Sequence, residues 1–244
     1  MTTNYDQIAE QYRQSKHVPW REWIERFTLL ELVGDLEGRS VVDFACGEGY
    51  YTRLVRLRGA GRVLGVDLSP GMIELARRQE ATNPLGIEYR VADAREALSN
   101  EQFDIAVAAY LLNYAHDRDE LVAMCEAVAS SLRPGGRFVT VNCNPAMDFS
   151  TAPSYRKYGF EARSEIRAEG APITWTFHVP GGPIQVENYH LDVATHEDAL
   201  RGAGFRDVRW HVPRLAPEHR DQHDAMATFL DQSPITFIEC VKSA

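Results

Sequence analysis

The chain has 244 residues, 44% of them hydrophobic, and 26 Lys and Arg against 35 Asp and Glu give a net charge of −9. That length suits one well-cored α/β domain with room for an insertion, and the acidic balance argues against a nucleic-acid partner, whose phosphates are held by Lys and Arg. The sequence has no apolar run of the roughly 18 residues a membrane span needs and no signal-peptide stretch, and its cysteines (Cys46, Cys125, Cys143, Cys240) form no C-x-x-C pair, so it reads as a cytoplasmic protein with reduced thiols and no membrane partner.

Tyr5 to Ser15 reads as a short helix, and Pro19 opens a second with Trp20, Ile24, Phe27 and Leu30 at helical spacing. Together residues 1–34 form an expected N-terminal helical lid. Ser40 to Ala45 is a buried strand, and a helix follows from Gly49 to Arg58. Arg62 to Asp67 is a second strand, after which Ser69 is placed to cap a helix with Pro70 in its first turn. Ile87 to Val91 is the third strand. "FDIAVAAY" (103–110) is the fourth, too continuously apolar for a sheet with one wet face. Leu121, Cys125, Val128 and Leu132 mark a helix stopped by "RPGG", and Arg137 to Asn142 is the fifth strand. Alternating strands and helices predict a doubly wound, Rossmann-like parallel sheet.

The alternation pauses over 143–194. The core of that segment, "ITWTFHVPGGPIQVENYHLDV", has period two around a Pro-Gly-Gly turn and predicts a β-hairpin that covers a substrate within a single domain. The pattern resumes with "THEDALRGAGF", where Thr195 and Asp198 resemble a capping box, then "RDVRWHV" and "PITFIECVK" as the last strands.

The chemistry starts at "VVDFACGEGYYTRL", a strand running through small residues into a helix, a ligand site at the carboxyl edge of a parallel sheet. A dinucleotide would want G-x-G-x-x-G, but Ala45 stands first and Thr52 last, so a nicotinamide cofactor and oxidoreductase chemistry are disfavoured. Asp67, ending the second strand, can accept both hydroxyls of a ribose. Asp93 can take the amino hydrogens of adenine, and Asp43 can orient the loop and an ammonium group. Three acids and two glycines (Gly47, Gly49), without a phosphate-binding Lys or Arg, suit S-adenosylmethionine.

"VVDFACGEGYYTR", "VLGVDLSPGMIELAR", "YRVADA", "FDIAVAAYLL" and "SLRPGGRF", in that order, resemble the class I S-adenosylmethionine-dependent methyltransferases over residues 40–142. The N-terminal stretch, "AAYLLNYA" and the insertion are most similar to the toxoflavin-type branch, which methylates ring nitrogens of fused heterocycles. The resemblance implies a seven-stranded sheet with its last strand antiparallel. It implies a cofactor site of Ala45, Cys46, Gly47, Gly49, Asp43, Asp67, Leu68, Met72, Asp93, Ala94, Ala109 and Tyr110. Tyr12 is expected near the sulfonium. Arg21 is expected near the methionine carboxylate or, equally, in an i,i+4 pair with Glu25 on an exposed helix face.

No N/D-P-P-Y/F tetrapeptide follows the fourth strand, which sets aside the family's nucleic-acid and protein-amide substrates. A planar aromatic or heteroaromatic small molecule remains, methylated at a ring nitrogen in secondary metabolism such as antibiotic biosynthesis; alternatives are an electron-rich carbon, as in an indole, or cofactor binding without catalysis. Trp20, Asn113, Tyr114, Asn144, Trp175, His178 and Tyr189 are the expected substrate contacts, with Tyr12, His178 and His190 as catalytic candidates. Trp20 and Trp23 fit a packing stripe as well. His219 and His223 have i,i+4 spacing but no third ligand, so they read as a solvated face and no metal is expected. The oligomeric state is left open, a homodimer included.

Overall fold

The computed structural model describes residue 16 and residues 18–95, 98 and 102–244. The expected helix over Tyr5 to Ser15, and with it Tyr12, lies outside the described residues. The second expected helix is present as a π-helical turn, Arg21–Glu25, running into α1 (Arg26–Val33).

Seven strands build the main sheet: β1 (Ser40–Phe44), β2 (Arg62–Asp67), β3 (Glu88–Val91), β4 (Phe103–Ala109), β5 (Leu132–Cys143), β9 (Phe205–His211) and β10 (Ile235–Lys242). Their order is β3-β2-β1-β4-β5-β10-β9. The first five pair in parallel, while β10 runs antiparallel to both neighbours. The strand order reverses between β1 and β2 on one side and β4 on the other. Ligands bind outside the carboxyl ends of strands at such a switch point.

Period-two geometry sends alternate side chains of one strand to opposite faces. Val42 and Phe44 enter a core with Leu121, Cys125 and Val128 of α4 (Arg118–Ser131) and Leu200 of α5 (Val193–Gly202). Val41 enters the other core, with Ile24, Tyr51 of α2 (Tyr50–Leu57) and Met72 of α3 (Pro70–Thr82). Both faces are therefore covered, as the apolar run of β4 requires. Asp43 shares the parity of Val41, so its carboxylate lies on the face under α2 and the N-terminal helix.

Ser69 caps α3 as expected, accepting from the Met72 N–H at 3.1 Å. Thr195 does not cap α5: the helix begins at Val193, and the Thr195 hydroxyl donates to Glu169 at 2.7 Å. The insertion holds the expected hairpin, β7 (Pro172–Val179) and β8 (Gly182–Tyr189), and a third strand that period alone does not reveal, β6 (Phe160–Arg163). Trp175 and Phe177 turn inward, where Trp175 stacks on Phe160 at 5.3 Å. Trp20 and α6 (His223–Asp231), through Phe229, pack on the same cluster. Ala216 donates its N–H to the Trp23 carbonyl at 2.8 Å, and Thr28 bonds Arg214, so the 214–216 segment straps the N-terminal helix to the body.

Candidate active site

The carboxyl ends of β1, β2, β3 and β4 open into a cavity of about 560 Å³, within the range of about 300–1,000 Å³ that buries a drug-sized ligand. Asp43, Ala45, Cys46, Gly47, Asp67, Leu68, Met72, Asp93, Ala94, Ala109, Tyr110 and Tyr114 line it, together with Lys16, Arg95, His116 and Glu120. Gly47 adopts φ +58°, and a methyl built on it would meet nothing within 4 Å, so its missing side chain leaves room at the wall. Gly49 is different. It does not line the cavity; it starts α2 at φ +87°, and a methyl there would lie 2.4 Å from the Tyr89 hydroxyl oxygen. Two non-glycine residues of the wall, Ala45 (φ +53°) and Tyr110 (φ +67°), also have left-handed backbone. Such outliers collect where a site imposes its own geometry.

The three acids are held differently. Asp43 is 1% exposed; one oxygen accepts from the Thr52 hydroxyl at 2.6 Å and the other, Oδ1, has no partner among the described residues. Burial pushes its carboxyl up to about 7, against the lowering pull of the Thr52 hydrogen bond and of Lys16. A buried oxygen of this kind is costly unless a ligand satisfies it. Asp67 shapes the loops, accepting the N–H groups of Gly47 and Ser69, both at 2.8 Å. Asp93 is gripped by the Arg95 guanidinium at 2.6–3.1 Å, and these hydrogen bonds hold its carboxyl below the ordinary value. Arg95 also reaches Glu120, which pairs with His116, whose ring lies 4.0 Å from that of Tyr189. Adenine taken by Asp93 would have to displace the Arg95 side chain.

Beyond Tyr110 and Tyr114 a second, much smaller recess is lined by Arg21, Trp175, Phe177, Val186 and Asn188. Arg21 does not line the large cavity. It is 2% exposed and pairs with Glu25 at 3.3 Å, so the expected i,i+4 partner is correct but the pair is buried rather than on an exposed face. Glu25 also accepts from Tyr51 at 2.7 Å and from Tyr110. A basic residue that does line the cavity, besides Arg95, is Lys16, 8% exposed, which the sequence reading passed over because it falls between the two expected helices.

Several expected substrate contacts sit elsewhere. His178 is exposed, because alternation along β7 puts it on the face opposite Trp175 and Phe177. His190 is buried and bonded to Asp192 at 3.1 Å, outside both voids. Trp20 is packing, 1% exposed between Phe160 and Phe229, and Trp23 stacks on His219 at 4.5 Å. The Asn144 amide is spent on the Ser233 carbonyl and the Ala146 N–H. Tyr189 lies at the cavity mouth through His116, its hydroxyl donating to Glu187 at 2.5 Å. Asn113 is 3% exposed with neither amide atom bonded among the described residues; it lies in the Leu112–Tyr114 turn, beside Tyr114. His223 is exposed. Among the described residues no group of three His, Cys, Asp or Glu stands close enough to hold a metal ion.

The family model for a methyltransferase domain matches residues 41–136, the stretch that carries the glycine turn and all three acids. An S-adenosylmethionine-dependent methyltransferase from Mesorhizobium loti superposes with a TM-score of 0.64 at 27% identity, covering 89% of this chain and 97% of that one. Residues 41–136 form a methyltransferase domain, and the chain is an S-adenosylmethionine-dependent methyltransferase. This methyltransferase is also similar to N-demethylindolmycin N-methyltransferase of Streptomyces griseus, 27% identical with 74% of each chain covered. It is 33% identical to the ubiquinone biosynthesis O-methyltransferase of Bordetella avium over 51% of its own length, and spans about half of that protein, 49%.

The residues present fit the cofactor: the bare Gly47 wall, the unpartnered Asp43 oxygen and a cavity bounded by Asp67 and Asp93 match a molecule with an ammonium group, a ribose and an adenine. S-adenosylmethionine supplies a methyl group already activated on a sulfonium. Asp43 would hold the ammonium and Lys16 the carboxylate of its methionine end. Replacing Lys16 with Met should therefore weaken S-adenosylmethionine binding about three- to thirtyfold, the range for a lost charge-assisted contact partly screened by water. Calorimetry giving unchanged affinity would remove Lys16 from the site.

Proposed function

We propose that this methyltransferase acts on a ring nitrogen of a planar aromatic or heteroaromatic small molecule, in secondary metabolism of the antibiotic-forming kind within the cytoplasm. The observation that carries this reading is the wall shared by the two voids: Tyr110 and Tyr114 bound the cofactor cavity on one side and the recess lined by Trp175 and Phe177 on the other. Aromatic faces of this kind favour a flat ring. In this reading residues 143–194 roof the acceptor and residues 1–34 close over the cofactor. The N-methyltransferase from Streptomyces griseus supports nitrogen as the accepting atom, and the net charge of −9 suits a small acceptor better than a nucleic acid.

Methyl transfer from an activated sulfonium asks mainly for alignment and exclusion of water. The site suits that demand. Its walls are mostly apolar, and the histidine that lines the larger cavity, His116, is engaged by Glu120. The test is incubation with S-adenosylmethionine and a panel of planar N–H heterocycles, indoles and phenols, read by mass spectrometry and NMR. An N-methyl product from the heterocycles is expected. Products methylated only on oxygen or carbon would overturn the nitrogen assignment.

A further inference from the structure

Where α4 begins, on the wall of the large cavity, a carboxylate and an imidazole are joined more closely than helix capping requires. The Asp117 side chain accepts the Glu120 N–H at 2.9 Å, and Glu120 Oε2 reaches back to the His116 N–H, also at 2.9 Å. That exchange already closes the helix start. The same Oε2 lies 2.7 Å from His116 Nδ1 as well. The His116 backbone N–H and then its ring hold the Glu120 carboxyl below its ordinary value, so the carboxylate accepts and Nδ1 carries the proton. Nε2 is then the lone-pair nitrogen of a neutral ring, and it has no hydrogen-bond partner among the described residues. The ring is also fixed from the insertion: the Tyr189 ring lies 4.0 Å away, and the Tyr189 hydroxyl donates to Glu187 at 2.5 Å.

We infer that His116 is a catalytic residue of the methyl transfer, its Nε2 taking the proton that the acceptor gives up, and that Glu120 is the positioning residue that sets the tautomer of the ring. The inference rests on the ring-nitrogen reading above and adds a base to it. His116 lines the same cavity as Tyr114, the aromatic wall of that reading, and its ring meets Tyr189 at the end of the covering hairpin. The other Glu120 oxygen, Oε1, faces Arg95 at 3.6 Å, and Arg95 grips Asp93, so Glu120 stands between the acid expected at adenine and the histidine under the insertion. In the transfer the nitrogen–carbon bond forms as the carbon–sulfur bond breaks, with its electron pair left on sulfur. The proton of the acceptor passes to Nε2. One positive charge thus moves from sulfonium to imidazolium, where the Glu120 carboxylate stabilises it, the role a carboxylate plays behind a histidine base elsewhere. A pyridine-type nitrogen attacks through its lone pair and has no proton to lose, so it gains nothing from the dyad.

That difference supplies the test. The probes are 4-quinolone, which must lose a proton on N-methylation, and quinoline, which has none to lose. Single-turnover rates are measured on the full chain saturated with S-adenosylmethionine, and the products are assigned by NMR. General-base loss typically costs 10²–10⁴-fold. His116→Gln should therefore lower the ratio of the 4-quinolone rate to the quinoline rate at least tenfold, and Glu120→Gln should lower it at least threefold. A smaller fall in the His116→Gln ratio, or no product from either probe with the parent, overturns the inference. A second readout needs no turnover. In the ¹⁵N spectrum of the histidine-labelled parent at slightly alkaline pH, the imidazole signals that His116→Gln removes should show Nδ1 protonated and Nε2 bare, and Glu120→Gln should change that pattern. The opposite tautomer in the parent also overturns the inference. N-methyl products with an unchanged rate ratio would leave the nitrogen reading intact and remove the base; O-methyl products that still depend on His116 would do the reverse.

Discussion

Replacing Asp43 with Asn should weaken S-adenosylmethionine binding ten- to a hundredfold and at the same time stabilise the empty protein above neutral pH. Both effects come from one buried carboxyl. Its Oδ1 has no partner among the described residues, and burial raises it to about 7 from an ordinary 3.8. An ammonium group meeting that oxygen makes a charge-assisted hydrogen bond, worth on the order of 1.5–3 kcal/mol. Stability works in the other direction. A carboxyl whose folded value is raised contributes stability that is fully present below about pH 4 and is lost as pH rises through about 7. The amide has no such loss. The Tm difference, variant minus parent, should therefore grow from pH 4 to pH 8, by a few degrees for each kcal/mol in a chain of this length. Binding should follow the same group. Affinity of the parent should fall below pH 7, and calorimetric enthalpies should depend on buffer ionisation because binding expels the Asp43 proton. A Tm difference flat across pH 4–8, or an unchanged affinity in the variant, would mean that Asp43 is a scaffold residue.

The cofactor half was legible because strand parity and strand ends are written in short-range pattern. "VVDFACGEGY" shows a buried strand with one acid at the third position, and the fold puts that acid where the parity of Val41 does. Asp67 and Asp93 end or follow their strands, and strand ends define the switch point. The acceptor half was less legible, for identifiable reasons. Parity along "ITWTFHV" already groups His178 with Thr174 and Thr176, away from Trp175 and Phe177, and that signal outweighs the attraction of a histidine in a covering segment. Burial of the Arg21–Glu25 pair is a long-range fact. It depends on Tyr51, Tyr110 and the sheet of the insertion closing over a turn whose sequence, "REWIE", reads as an exposed helix face. Lys16 precedes the periodic helix and carries no local mark. The four residues of β6 become a strand only because β7 is there to pair with them.

Gly49→Ala should cost about 2–5 kcal/mol of stability, while Gly47→Ala should cost about 1–2 kcal/mol and remove ligand affinity instead. Left-handed backbone penalises any side chain by about 1–2 kcal/mol, and both glycines have it. Beyond that they diverge. A methyl on Gly49 meets the Tyr89 oxygen at 2.4 Å and its ring carbons at 3.0 Å, so the phenol must shift within a packed core, an overpacking cost of about 1–3 kcal/mol. Tyr89 is 5% exposed, and its ring also lies 2.7 Å from where a methyl on Gly65 would stand, so it has little room to retreat. Its hydroxyl has no hydrogen-bond partner among the described residues, so Tyr89→Phe alone should be neutral or stabilising. Combined with Gly49→Ala, it should restore part of the loss by removing the nearest atom, and a double-mutant cycle would show coupling between the two positions. A methyl on Gly47 meets no protein atom, but it stands at the wall of the cofactor cavity, where it should lower S-adenosylmethionine affinity at least tenfold. The two assays therefore separate the glycines: thermal unfolding should single out Gly49→Ala, and calorimetry Gly47→Ala. If Gly47→Ala unfolds at the lower temperature while Gly49→Ala keeps its stability and loses binding, the roles assigned to the two positions are reversed.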